Sequence, residues 1–174
     1  GAGIVFRDRV VAQGTASEPI RFERSSGAAW NHLDLYADGN LFEHVVLEGG
    51  TKTVEIRSRD NTFRHCVFRN GWRGVSSNYA AAGGRSSFTL ENSLVAGNTS
   101  VGVVAYHSNP QFSFSTIRDN AQAGLWAYDA SIDMFYRSVV TNNALTQTTR
   151  SGIEVMTGSY IGFVGPGFGR GYSR

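Results

Sequence analysis

The chain has 174 residues, a net charge of +2 and one cysteine, Cys66. The length suits one domain with a sizeable core, the dispersed weak charge excludes a nucleic-acid surface, and the lone thiol excludes an internal disulfide. No apolar stretch is long enough to cross a membrane as a helix, and the 21 glycines and 3 prolines suit a chain that turns often.

Strand-like sequence begins at once, with Ile4-Val5-Phe6 and no capping element before it. Glu18-Pro19-Ile20-Arg21-Phe22, after Gly14-Thr15, reads as a strand entered through a turn. From Leu33 onward one set of segments recurs. Leu33-Asp34-Leu35-Tyr36 aligns with Val54-Glu55-Ile56-Arg57 (54−33 = 21) and with Val75-Ser76-Ser77-Asn78 (75−54 = 21). The later copies are Val103-Val104-Ala105-Tyr106, Leu125-Trp126-Ala127-Tyr128 and Ile153-Glu154-Val155-Met156. Side chains alternate across a strand, so first and third positions point inward and second and fourth outward.

A second set lies between these segments. Asn40-Leu41-Phe42-Glu43-His44-Val45 repeats as Asn61-Thr62-Phe63-Arg64-His65-Cys66, with looser copies from Leu90, Phe112 and Met134. Cys66 reads as a small buried residue in a stacked turn. His44 stacks on His65 with no third ligand in the column, so no metal site is expected there. A third signal is Asn-x-x-x-Gly-aliphatic, at Asn70/Gly74, Asn98/Gly102 and Asn120/Gly124, with an interrupted copy from Asn142 to Gly152. The longer connections, 78–87 and 144–151, are the loops expected to project. The Gly-rich end predicts a division at residue 157: a solenoid over 1–157, and a tail or cap over 158–174 with one irregular strand, Tyr160 to Val164. Both ends read as cut, which predicts a piece of a larger protein or a unit whose ends neighbours cover.

Short alternating strands at this period predict an all-β solenoid, a parallel β-helix of about seven coils with roughly 22 residues per coil. The Gly14-Thr15…Pro19-Ile20-Arg21-Phe22 entry, Asn61 to Gly71, and Asn120-Ala121-Gln122-Ala123-Gly124-Leu125 resemble the right-handed parallel β-helix superfamily, the pectate-lyase-like fold with short β-helix repeats. The resemblance covers roughly Ile4 to Met156 and specifies fold better than function. It implies a secreted or cell-surface bacterial protein. It also implies that the Asn column (Asn70, Asn98, Asn120, Asn142) is an asparagine ladder.

Two clusters fall on the outer face of the first strand set. Asp34, Glu55 and Arg57, with Tyr36, bring two carboxylates onto neighbouring coils, roughly 5 Å apart. Such a pair serves acid/base chemistry or binds Ca²⁺, with Arg57 gripping an acidic sugar; alternatively it is a solvated face with Arg57 neutralising Glu55. Lyases of the family use a calcium–arginine arrangement on a sheet face, but their Asp-Asp, Gly-His-Gly and Arg-x-Lys strings are missing here. Ca²⁺ is therefore expected only if the chain is a lyase, and no other cofactor is expected. The second cluster is Tyr106, Trp126 and Tyr128, with Glu154, His107 and Asp129 beside it. Stacked aromatics suit sugar rings or a protein interface, and the 144–151 loop or the Gly-rich tail is a third candidate cover.

The function expected is a secreted or cell-surface module, non-catalytic, with a structural, adhesive or fibre-forming role. Its partners would be proteins or further copies, meeting at the coil ends or the aromatic face, or a polysaccharide. The alternative is a lyase or hydrolase acting on an acidic glycan through Asp34, Glu55 and Arg57. No nucleic-acid partner and no membrane insertion are expected.

Overall fold

The computed structural model describes residues 2–24, 29–144, 152–156, 158–165 and 168–173. Each coil passes through three strands. The first holds β1 (Ile4–Phe6), β2 (Val11–Gln13) and β3 (Ile20–Glu23), and the second β4 (Leu33–Leu35), β5 (Leu41–Glu43) and β6 (Val45–Glu48). The third holds β7 (Lys52–Ile56), β8 (Asn61–Arg64) and β9 (Val67–Arg69), and the fourth β10 (Arg73–Ser77), β11 (Ser86–Glu91) and β12 (Leu94–Ala96). The fifth holds β13 (Val103–Tyr106), β14 (Ser108–Ser113) and β15 (Thr116–Arg118), and the sixth β16 (Leu125–Tyr128), β17 (Ser131–Tyr136) and β18 (Val139–Thr141). A seventh begins with β19 (Ile153–Val155) and β20 (Tyr160–Gly165), before β21 (Phe168–Ser173). Among the described residues there are thus six complete coils and the start of a seventh, close to the expected number.

Three parallel sheets run the length of the stack. Sheet A is β1-β4-β7-β10-β13-β16-β19, sheet B carries β2, β5, β8, β11, β14, β17 and β20, and sheet C joins β3 to β18. The β20 strand extends sheet B in parallel with β17, and β21 then turns back antiparallel on β20. One register column on sheet A, Leu33, Val54, Val75, Val103, Leu125 and Ile153, shows the period directly. Its steps are 21, 21, 28 (103−75), 22 and 28 (153−125), the two long steps carrying the loops noted above.

Like stacks on like inside. Phe42 lies on Phe63, ring centroids 5.1 Å apart and nearly parallel, with Phe68 edge-on to Phe63 at 5.4 Å. All three are fully buried. Each fully buried large apolar side chain contributes about 1.5–3 kcal/mol over leaving it in water, and no single coil encloses them alone. Cys66 is buried too, its thiol donating to the Phe42 carbonyl, and burial pushes that thiol up to about 12, so it is inert at neutral pH.

The corners explain the polar repeats. Between sheets B and C one residue in each of the second to sixth coils takes a left-handed conformation: His44, His65, Asn92, Phe114 and Arg137, with φ from 45° to 51°. The last four are followed in turn by Cys66, Ser93, Ser115 and Ser138. The Ser93 hydroxyl accepts from the Cys66 N–H at 3.1 Å, Ser115 from Ser93 at 3.2 Å, and Ser138 from Ser115 at 3.1 Å. Between sheets C and A runs an asparagine ladder, but its members differ from those expected. Asn98 Nδ2 donates to Asn120 Oδ1 at 2.9 Å and Asn120 Nδ2 to Asn143 Oδ1 at 2.8 Å. Gly71 holds the equivalent place one coil earlier, its N–H donating to Asn98 Oδ1 at 3.1 Å. Asn70 and Asn142 instead fill the left-handed column with Gly49, Gly97 and Asp119. The offset at Asn70 arises because this turn is one residue shorter in the β9–β10 connection: Gly71 reaches Gly74 in three steps, where Asn98 reaches Gly102 in four.

A second ladder, unexpected from sequence, stands between sheets A and B. Asn40 Oδ1 accepts the Val10 N–H at 2.8 Å, and Asn40 Nδ2 donates to Asn61 Oδ1 at 2.7 Å. It also reaches into sheet B, where Asn61 Nδ2 donates to the Ser87 carbonyl at 2.9 Å.

Candidate functional site

The outer face of sheet A holds one register column made of Val5, Asp34, Glu55, Ser76, Val104, Trp126 and Glu154. The next outward column carries Tyr36, Arg57, Asn78, Tyr106 and Tyr128. Side chains here point away from the core, yet Asp34 is 7%, Glu55 2%, Ser76 3% and Val104 4% exposed. The face is therefore a groove with those four on its floor. Val101 and Ala123 pack with Val104, Tyr106 and Trp126 into a small apolar cluster of their own.

The two clusters expected from sequence are two ends of this groove. A pocket of about 120 Å³ lies where they meet, lined by Lys52, Glu55, Arg73, Ser76, Tyr106 and Trp126 among others. Asp34 and Arg57 stand at one end. Asp34 Oδ2 is 2.9 Å from His32 Nε2, and Asp34 Oδ1 is 3.7 Å from Arg57 Nε, an ion pair too long for a hydrogen bond. Glu55 Oε2 sits 2.8 Å from Lys52 Nζ, off the line of a good hydrogen bond, and Glu55 Oε1 3.5 Å from Arg57 Nη2. Arg57 also lies 5.9 Å from the Tyr36 ring centroid. The donor set does not suit Ca²⁺: His32, Lys52 and Arg57 already surround the two carboxylates, and a hard cation entering there would meet like charge.

Arg73 was not singled out by the sequence. Its guanidinium is half-buried over the Trp72 ring, 4.3 Å from the centroid, and its Nε has no hydrogen-bond partner among the described residues. Burial pulls Arg73 below its ordinary value, and the Glu55 carboxylate restores part of the loss. The Ser76 hydroxyl is buried and equally without a partner among the described residues. Unmet buried polar groups are costly and are uncommon without a purpose.

At the other end Tyr106 stacks on Tyr128, centroids 5.1 Å apart and 18° from parallel. The Trp126 Nε1–H points to Met156 Sδ at 2.8 Å, and Glu154 is the rung beside Trp126. The 78–85 loop does not simply project. Tyr79 stacks on His107 at 3.9 Å, with Tyr79 Oη 2.6 Å from His107 Nε2. His107 Nδ1 lies 2.5 Å from Asp129 Oδ2, and Arg85 clamps the other Asp129 oxygen. The Arg85 hydrogen bond, aided by His107, holds Asp129 below the usual carboxylate range. The loop therefore buttresses the aromatic rim through Tyr106, which meets Tyr79 and His107 edge-on. No sequence spacing signals this contact, since Arg85 and Asp129 are 44 residues apart. The proposed cover of the aromatics by residues 145–151 lies outside the described residues. Elsewhere His44 and His65 stack at 4.7 Å, and no three His, Cys, Asp or Glu gather as a metal site among the described residues.

A family model described as a right handed beta helix region matches residues 21–165. Neither the curated proteins nor the solved structures give a match.

Proposed function

This chain belongs to the right-handed β-helix family, and we propose that it is a secreted or cell-surface adhesive module that holds an acidic glycan in the groove on sheet A. The observation that carries this reading is the pocket where unmet Arg73 and Ser76 stand beside the faces of Tyr106 and Trp126. A sugar ring stacks its C–H face on an aromatic, and its carboxylate or sulfate pairs with a guanidinium. Lys52 adds a second cation, while Glu55 accepts from sugar hydroxyls. The rigid stack fixes these groups on rungs about 4.8 Å apart, so a polymer lying along the axis meets them in sequence.

The test is binding of polygalacturonate, alginate and chondroitin sulfate, followed by tryptophan fluorescence, with neutral dextran as control. At least one acidic polymer is expected to bind, and Arg73→Ala and Trp126→Ala are each expected to weaken it by about tenfold or more. No binding to any acidic polymer, or binding that survives both substitutions, overturns the reading. Concentration-dependent growth in particle mass, lost in Trp126→Ser, would instead assign the aromatic face to copies of this chain.

A second reading, cleavage of the bound glycan, is favoured by one feature: Asp34 and Glu55 are nearly buried on adjacent rungs. Their rung spacing of about 4.8 Å is near the carboxyl separation of about 5–5.5 Å used by retaining glycosidases. Product release from a bound polymer, abolished in Glu55→Gln with binding kept, would establish it.

A further inference from the structure

We propose that the outer face of sheet B carries a second, separate site, for a neutral sugar. The site is a cleft of about 220 Å³ lined by Asp60, Thr62, Ser87, Thr89, Asn109 and Gln111, with Phe88 at its base. It draws on three successive coils: Asp60 and Thr62 from the third, Ser87 and Thr89 from the fourth, Asn109 and Gln111 from the fifth. Thr62, Thr89 and Gln111 stand in one register column, and Ser87 and Asn109 in another.

Asn109, which lines the cleft, has a buried Oδ1 with no hydrogen-bond partner among the described residues. Such an unmet acceptor is costly to keep. Asp60 is set by the backbone: it sits in a left-handed turn at φ 57°, with its N–H donating to Ser87 Oγ at 2.8 Å. The Ser87 hydroxyl lies 3.3 Å from Asp60 Oδ1.

The chemistry of the lining selects the ligand. Among the described residues no Lys, Arg or His lines the cleft, and Asp60 repels an anion. A multivalent cation would find a single carboxylate, too little charge to displace its water. A polyol fits, because each hydroxyl both donates and accepts. It donates to Asp60 and accepts from the threonine hydroxyls and the Gln111 and Asn109 amides. The volume is below the roughly 300–1,000 Å³ of sites for drug-sized ligands, so one sugar ring is the unit held. This site shares no residue with the sheet A pocket and does not depend on it.

Titration of the isotope-labelled chain with glucose, galactose, mannose and N-acetylglucosamine, read by backbone amide shifts, tests this. At least one sugar is expected to move Asp60, Ser87 and Asn109 together. Asn109→Ala and Thr89→Val are each expected to weaken that binding about tenfold or more, while Trp126→Ala leaves it unchanged. Asn109→Ala is also expected to keep or raise the melting temperature, since it deletes an unmet acceptor. Silence with all four sugars overturns the proposal. So does binding that survives both substitutions, or a lower melting temperature for Asn109→Ala, which would give Asn109 a structural role. The sheet A reading fails separately, through its own acidic polymers.

Discussion

The corner ladders and the floor of the sheet A groove are equally buried and equally polar, yet they treat hydrogen bonds in opposite ways. In the ladders each coil answers the next with the same residue. Asn120 accepts from the Asn98 backbone at 3.1 Å and from its amide at 2.9 Å, and passes its own amide to Asn143. Ser76 on the groove floor and Arg73 beside it have polar atoms with no partner among the described residues. Repetition of a residue down a column therefore marks self-satisfaction, whereas a break in the column leaves bonding capacity for something else. Asp34, Glu55, Ser76, Val104 and Trp126 share one column and no two are alike.

The largest expected effect lies in the ladder. Asn120→Leu removes the acceptor of two buried Asn98 donors, each costing about 1–3 kcal/mol when left unmet. A loss of roughly 3 kcal/mol is expected in chemical denaturation. A loss below about 1 kcal/mol would mean the ladder is ornamental and would erase the contrast.

A matched pair of serines sharpens it. Ser76 is 3% and Ser93 4% exposed. Ser93 accepts the Cys66 N–H at 3.1 Å and lies within bonding distance of the Phe63 carbonyl at 3.2 Å, while the Ser76 hydroxyl has no partner among the described residues. Ser93→Ala is expected to cost about 1–2 kcal/mol and Ser76→Ala less than about 0.5 kcal/mol. Binding of an acidic glycan should fall only for Ser76→Ala. Equal costs at the two sites would show that burial alone, not pairing, governs them.

Much of this was written in the sequence, for a physical reason. The sheet A column was legible because alternation and a constant step fix which side chains face out, and every rung from Asp34 to Glu154 sits where that rule puts it. The asparagine ladder was legible in kind but misread at Asn70 and Asn142. A turn one residue shorter moves Asn70 out of the column without disturbing the strands on either side. Asn142 lost its place to the adjacent Asn143. The groove was not legible as a groove. Its concavity comes from flanking side chains such as Arg73, which no period singles out. Nor did any pattern announce the Tyr79–His107–Asp129–Arg85 contact, which a loop makes by folding back across coils. The unmet Asn109 was equally silent, since a missing bond leaves no mark on sequence.

The smallest expected effect is a pH dependence that separates charged surface groups from neutral ladders. Glu48, at the end of β6 in sheet C, receives the Asn70 amide at 2.7 Å and the Arg69 guanidinium at 2.8 Å. The Asn70 hydrogen bond, then Arg69, hold its carboxyl below the ordinary value of 4.5 against a smaller opposing effect of burial. A carboxyl depressed in the folded state stabilises it above the unfolded value, and that stability is lost as pH falls from about 4.5 through the folded value. Both partners are partly exposed, so solvent screening limits the term to about 0.2–1 kcal/mol. Glu48→Gln should therefore lower stability slightly at pH 7 and flatten its decline between about pH 5 and 3. Asn120→Leu should shift the whole curve down without changing its slope, because amides do not titrate over that range. If Asn120→Leu changed the slope instead, the corner would be coupled to the charges around it, and the separation between self-satisfied ladder and open surface would not hold.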